Sequence, residues 1–315
     1  MPDGWEVWQL GVVWLLAYGL DALLGEPKRF HPLVGFGQLA RRLELLGNSQ
    51  QSSLHNLLRG LLCWLILVAP PVATVALFGG FLNQSLGVFS LLFDILVLYW
   101  AIGWRSMAEH VRPVVAALEQ GNAVLAGRRL SMIVSRDTEQ SRGEEILSAT
   151  LETTLENSSD ALLASLFWYA VLGPGGVVLH RLANTLDAMW GYRNTRFNHF
   201  GRCAARCDDV LNFIPAQITA LSFCVLSGRR QSWVSWGCQG WRWKSINAGS
   251  VMASGAAALG VTLGGAARYD GKSQDRAHLG EGRAPQAKDV LRALQLVQRV
   301  FVLWLAVLLF IGFWI

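Results

Sequence analysis

Six long apolar blocks, at 7–24, 61–82, 86–104, 161–183, 210–227 and 294–315, decide what this chain can fold into. Each approaches the ~20 residues that a helix needs to cross the roughly 30 Å hydrocarbon core of a bilayer. A soluble domain cannot hide that much apolar surface: hydrophobic residues fill 52% of the 315 positions and charged ones only 16%. The expected fold class is all-α, a polytopic integral membrane helical bundle. The first block has no basic region before it and no small-residue cleavage site, and it carries Asp21, so it reads as a retained helix rather than a cleaved leader. Trp5, Trp8, Trp100, Trp104 and Trp314 lie near block ends, where an indole can keep its ring in the headgroup layer and its N–H wet.

The placement of basic residues suggests a topology. Lys and Arg are absent from 1–24 and from 60–104, yet ten fall within 229–292. Basic loops tend to stay cytoplasmic, which puts the N-terminus and the link at 83–86 outside and 105–293 inside. Full crossings by 161–183 and 208–228 would send the link with Arg193, Arg196, Arg202 and Arg206 outside, against that bias. Four crossings are therefore expected, near 5–24, 60–82, 86–104 and 294–315, with both termini outside. Segments 161–183 and 208–228 are then re-entrant or half-buried beside a cytoplasmic-side active site. The Gly173-Pro174-Gly175-Gly176 run supplies a break of the kind tolerated at membrane depth only where protein or water covers it. Six crossings, with 184–207 outside, is the alternative.

Residues 105–160 read as a cytoplasmic helical region. Met107, Val111, Val114, Val115 and Leu118 recur at helical spacing, with a stop at Gly121-Asn122. The small residues of 246–265 suit close packing, and 266–293 reads as a flexible polar cytoplasmic loop. The five cysteines are odd in number and form no CxxC pair, so no disulfide framework is expected. His199, Cys203 and Cys207 fall four apart but lack a fourth metal ligand, and they read as packing residues.

Polar residues cluster in four places. Glu26-Pro27 and His31-Pro32 follow the first block, where each proline forces its predecessor out of helical geometry and the carboxylate and imidazole are placed at a helix mouth. In Ser135-Arg136-Asp137-Thr138, Asp137 can cap a following helix and Arg136 can hold a phosphate or a carboxylate in its planar fork. Glu152, Glu156 and Asp160 stand at i, i+4 and i+8, with Asn157 beside them. That spacing puts three carboxylates on one helical face running into an apolar segment, where a cation such as Mg²⁺ would relieve them. Finally Asn184-Thr185-x-Asp187 and Asp208-Asp209-x-x-Asn212 bracket a link with Arg193, Arg202 and Arg206. Oxygen ligands beside guanidinium groups are what a magnesium polyphosphate requires. The stretch AARYDGKS at 266–273 misses the GxxxxGK[ST] phosphate loop by its first glycine, and no GxSxG, HExxH or dinucleotide fingerprint occurs.

Taken in order, these motifs resemble one family. Gly25-Glu26-Pro27 with His31-Pro32, Ser135 to Thr138, Glu156-Asn157-x-x-Asp160, Leu166-Phe167-Trp168, Asn184-Thr185-Leu186-Asp187-x-Met189-x-Gly191-Tyr192 and Ala205-Arg206-x-Asp208-Asp209-x-x-Asn212-x-Ile214-Pro215-Ala216 are similar to the signature series of the CbiB/CobD-type adenosylcobinamide-phosphate synthases. The likeness continues through Asn247-Ala248-Gly249, Leu263-Gly264-Gly265, Tyr269-x-Gly271 and Leu279-Gly280.

The resemblance implies a bacterial inner-membrane ligase of cobalamin biosynthesis. It would use ATP and Mg²⁺ to join the free propionate of adenosylcobyric acid to aminopropanol or its phosphate. Glu26, His31, Asp137, Glu156, Asp160, Asp187 and Asp208 are the expected catalytic groups. Arg136, Asn157, Asn184, Arg193, Arg206, Asn212 and Asn247 are expected to bind substrate or nucleotide, and Glu156, Asp160, Asp208 and Asp209 to hold metal. The lipid bilayer is an expected partner and nucleic acid is not; association with other late cobalamin-assembly membrane enzymes fits the same setting. Ala161, Ser165, His180, Gln217 and Ile246 stand where the family pattern has glycine, proline, tyrosine, arginine and proline, so Gln217 removes one expected phosphate contact. Two other readings compete. A membrane prenyltransferase would hold magnesium diphosphate on Asp208-Asp209-x-x-Asn212, and a sensor or transporter on the same scaffold would need no chemical step.

Overall fold

The computed structural model describes residues 7–26, 31–49, 53–139, 141–269 and 271–314. Among the described residues it is mostly helical, with four three-residue strands, and the chain is an all-α polytopic membrane protein. Two compact units form: Met1–Gly103 with Ala164–Asn212 and Leu308–Ile315, and Trp104–Leu163 with Phe213–Val307.

The first unit is built from α1 (Val7–Leu24), α2 (Pro32–Gly47), α3 (Ser53–Ser85), α4 (Gly87–Ala101), α8 (Ala164–Trp190) and the first half of α9 (Arg202–Ser227). His31 is extended at φ −63°, ψ 122° and caps α2, with its Nδ1 accepting from the Leu33 amide at 3.3 Å, so Pro32 falls at the first helical position. Residues 5, 6 and Pro27 lie outside the described residues.

The glycine-proline break is real. Gly173 sits inside α8 at φ 64°, ψ −155°, a region that side-chain-bearing residues avoid, and Pro174 adds no backbone donor there. Gly175 lets this segment close on Ala76 of α3, where an added Cβ would lie 3.0 Å from the alanine Cβ. The core of the unit joins Cys63, Leu67 and Val68 of α3 to Val178, Leu182, Leu186 and Trp190 of α8. Asp94 of α4 and Tyr169 of α8, both buried, pair at 2.9 Å.

The second unit holds α5 (Trp104–Glu119), α6 (Ala123–Leu130), α7 (Gly143–Ser158), a π turn at Ser159–Leu163, the second half of α9, α10 (Arg230–Cys238), α11 (Ile246–Leu259) and most of α12 (Ala287–Trp314). The predicted stripe on α5 faces inward at Val111, Val114 and Val115, Gly121 turns the chain at φ 73°, and Asn122 caps α6. The small residues of α11 are buried from Ala248 to Leu259.

Several boundaries differ from the sequence reading. Block 86–104 is helical only to Ala101, with a new helix from Trp104. The predicted loop 266–293 carries secondary structure among its described residues. Strands β1 (Thr262–Gly264) and β4 (His278–Gly280) pair antiparallel, as do β2 (Ala267–Tyr269) and β3 (Lys272–Gln274), and α12 already begins at Ala287. Three-residue strands are too short to show the alternation by which strands are read. Residues 164–183 lie within α8 and 208–227 within α9, and among the described residues six helical stretches are long and apolar enough to cross a membrane, where the count of basic residues favoured four.

Candidate functional site

In the second unit, Glu152 of α7 is only 2% exposed and is held from several sides. Arg276 grips it with two nitrogens, Nη1 to Oε2 at 2.9 Å and Nη2 to Oε1 at 3.1 Å, and Arg136 Nη2 donates to Oε2 as well. The Gly264 amide donates to Oε1 at 3.1 Å and the Ser148 hydroxyl at 3.2 Å. One carboxylate facing two guanidinium groups leaves a net positive charge. Burial works against the charge on Arg276, and the Glu152 carboxylate together with Tyr269 more than offsets it, raising the guanidinium above its ordinary range. Arg276 also lies over the Trp243 ring at 5.6 Å and donates through Nε to the Gly265 carbonyl at 3.1 Å.

Gly264 must be glycine for this arrangement. Its φ is 82°, and a Cβ there would run into the Ala277 carbonyl oxygen.

Asp137 is not a helix cap. The N-cap of α7 is Arg142, whose amide donates to Glu145 at 2.7 Å, while Asp137 Oδ2 accepts from the Gly271 amide at 2.7 Å. The Asp137 amide in turn donates to the Arg268 carbonyl at 3.0 Å, and Thr138 Oγ1 donates to the Gly127 carbonyl at 2.8 Å. Residues 136–138 therefore anchor their loop to the β2–β3 turn, to α6 and to Glu152. The acidic stripe does not form one solvated face. Glu152 is buried, Glu156 is exposed, and Asp160 is half-buried within the π turn, whose wider winding displaces it from an ideal i+4 position. Asn157 donates to Thr153 Oγ1 at 2.9 Å, and Asn247 is half-buried in the first turn of α11.

In the first unit, Asp208 of α9 accepts at Oδ1 from Asn184 of α8 at 3.2 Å and from Asn212 at 2.9 Å. His180 Nε2 lies 2.9 Å from Asn212 Oδ1. An ionised carboxylate only accepts, so Asn212 turns its NH₂ to Asp208 and its oxygen to His180; Nε2 must then carry the proton. That leaves buried Nδ1 as an acceptor with no partner among the described residues.

Asp209 pairs with Arg206 at 3.6 Å on the exposed side of α9, and Arg193 is exposed. Asp187 is half-buried, and its carbonyl accepts from Gly191 at 2.7 Å where α8 ends. Glu26 is half-buried just after α1, beside Gly25, whose carbonyl accepts from Tyr99 Oη at 2.7 Å. From the arginine-rich link, Arg196 reaches Glu44 of α2, Nη2 to Oε2 at 2.6 Å and Nε to Oε1 at 3.1 Å, and Asn48 donates to the same carboxylate at 2.8 Å. Burial alone would push the Glu44 carboxyl up, but the Arg196 guanidinium, the Asn48 amide and Arg41 hold it below the usual carboxylate range. Among the described residues no three His, Cys, Asp or Glu side chains stand together as a ready cation cage.

These placements follow motifs spread along the whole chain, and the comparison with known families covers the same span. A family model described as CobD/Cbib protein matches residues 14–297. The chain belongs to the CobD/CbiB family. It is similar to the "Cobalamin biosynthesis protein CobD" of Stutzerimonas stutzeri, 49% identical over 93% of this chain and 95% of that protein. It is 46% identical to the protein of the same name from Chromobacterium violaceum, over 92% and 93%. A "Probable cobalamin biosynthesis protein CobD" of Pyrococcus furiosus is 34% identical over 94% and 98%. No solved structure matches the chain.

Within this CobD/CbiB chain, Glu152, Arg276 and His180 stand in the two clusters but not in the expected site. Glu152 was visible in the acidic stripe, but its basic partners come from distant segments. Arg276 lies in the stretch read as a loop, with only the neighbouring Leu263-Gly264-Gly265 as a signal. His180 entered only as a departure from the family pattern, and the structure ties it to Asp208 through Asn212.

Proposed function

We propose that this CobD/CbiB member acts in cobalamin biosynthesis as an ATP-dependent ligase, joining the free propionate of adenosylcobyric acid to aminopropanol or its phosphate. The observation that carries the reading is the family match over residues 14–297, which spans the motifs containing Arg136, Asn184, Asp208 and Asn212. A carboxylate is a poor acyl donor. Transfer of the terminal phosphoryl group of ATP to a propionate oxygen, with ADP leaving, makes an acyl phosphate. The amine nitrogen then forms its bond to the acyl carbon, the phosphate leaves, and the amine gives up a proton.

Asp208 suits the last task. Both of its amide donors converge on Oδ1, so the second oxygen is the one offered to an amine proton or a cation. In the second unit, Arg136 makes one bond to Glu152, which leaves most of its fork free for an anion. The donor set fits Mg²⁺ only in the manner usual for that ion, with one carboxylate and the remaining positions filled by phosphate oxygens and water; Asp208 would hold it, since Asp209 turns to Arg206 on the exposed side of α9. Bound there, the ion would supply charge neutralisation to the phosphates.

The test is ligation by the purified chain in detergent with ATP, Mg²⁺, adenosylcobyric acid and each amine in turn. ADP-linked formation of the amide is expected. Full activity without a nucleotide, or no product with either amine from protein that is folded, overturns the proposal. A deletion strain rescued by cobinamide but not by cobyric acid is the matching result in cells.

A further inference from the structure

A groove of about 520 Å³ lies wholly within the first unit, walled by Leu57 and Trp64 of α3, Leu179 of α8, and Val210 and Leu211 of α9. Its volume is that of a small-molecule site. Cys203, Cys207 and the stems of Arg202 and Arg206 complete the lining, which is almost wholly apolar, and both arginines are exposed beside it. Arg202, Arg206 and Val210 follow one another at i, i+4 and i+8, so a single stripe of α9 runs from charged to apolar over roughly 12 Å. Arg206 has Asp209 at 3.6 Å, while Arg202 pairs with no acid among the described residues.

The surroundings of the groove are apolar and outward-facing. Val210 is 72% exposed and Leu58 55%, and Leu54 and Leu62 of α3 are exposed beside them. These helices are long and apolar enough to cross a membrane. In that setting such side chains face lipid, and arginines at the end of a lipid-facing groove meet headgroups. A soluble phosphate compound would satisfy the guanidinium groups and leave the apolar walls empty. A neutral lipid would fill the walls and leave the charges unmatched.

We propose that this groove binds an anionic phospholipid, with its phosphodiester on Arg202 and Arg206 and an acyl chain along Leu57, Leu179 and Val210. The proposal gives to a lipid phosphate the Arg206 side chain that the sequence reading set aside for substrate or nucleotide; it does not depend on ligase activity.

The test uses the full-length chain purified in neutral detergent, with phosphatidylglycerol, phosphatidylcholine of the same acyl chains, and glycerol 3-phosphate as probes. Bound lipid is counted by native mass spectrometry and the apparent Tm is followed in parallel. Phosphatidylglycerol is expected to be retained and to raise Tm, and the other two probes are not. Arg202→Gln should weaken retention about tenfold, the size of one charge-assisted contact. Leu179→Trp, which fills the groove and keeps both arginines, should weaken it too, whereas Arg128→Gln outside the groove should not. Equal retention of phosphatidylcholine, or an equal Tm rise with glycerol 3-phosphate, overturns the proposal. So does parental retention by Leu179→Trp, which decides the matter if Arg202→Gln fails to fold.

Discussion

Arg276 holds Glu152 in a two-nitrogen grip, at 2.9 and 3.1 Å, across 124 positions of sequence. With Arg136 on the same carboxylate, the cluster joins α7, the loop before it and the β1–β4 ladder into one buried ionic knot. Removing one member of such a group leaves the others charged and unpaired. Glu152→Gln is expected to destabilise the chain by about 3–5 kcal/mol, read as a fall in apparent Tm in detergent. Glu152→Leu combined with Arg276→Met should lose less than Glu152→Gln, because it removes both charges of that pair. A double variant less stable than the single one would contradict this account.

On the ligase proposal, Asp208→Asn should lower the rate of amide formation by roughly 10²-fold, the scale of a lost proton acceptor. The protein should remain folded, since an amide can keep contact with Asn184 and Asn212. Asp209→Asn should do less, because Asp209 pairs with Arg206 on an exposed face. Parallel single-turnover assays on the two variants check the order; an Asp209→Asn defect larger than that of Asp208→Asn would reassign the acceptor.

What could be read in advance follows from the range of each signal. The apolar blocks and the stripe on α5 are local and repeat over several turns, so helix positions and the Gly121-Asn122 stop were legible. The break at Gly173 was legible because glycine and proline act on their own backbone. Pairings such as Glu44 with Arg196, 152 positions apart, leave no trace in spacing. The Asp137 contact with Gly271 was mistaken for a helix cap for the same reason, since the local rule was satisfied and the distant partner was hidden. Composition does not fix the number of crossings, because α8 and α9 are long enough to span a membrane while the link between them is rich in arginine.

Gly264 tests how tightly the β1–β4 ladder serves Glu152. Gly264→Ala would place a methyl group against the Ala277 carbonyl and force a non-glycine residue to φ 82°, at a cost of about 1–3 kcal/mol. The Gly264 amide would shift away from Glu152, so amide hydrogen exchange should rise across 262–280 before the helices loosen. Unchanged exchange there, with normal Tm, would mean that the turn tolerates a side chain.

The Glu44–Arg196 pair makes stability depend on acid. Its folded-state pKa lies below the ordinary 4.5, so the native chain binds this proton less readily than the unfolded chain does. The stabilisation is therefore complete above pH 4.5 and is lost as pH falls below it, through the folded value. Glu44→Gln removes that component, and the Tm difference between parent and variant should narrow on moving from neutral pH to about pH 3.5. Arg196→Gln should narrow it in the same window, because the two side chains form one pair. A Tm difference that stays constant through that range would show that Glu44 acts through packing alone.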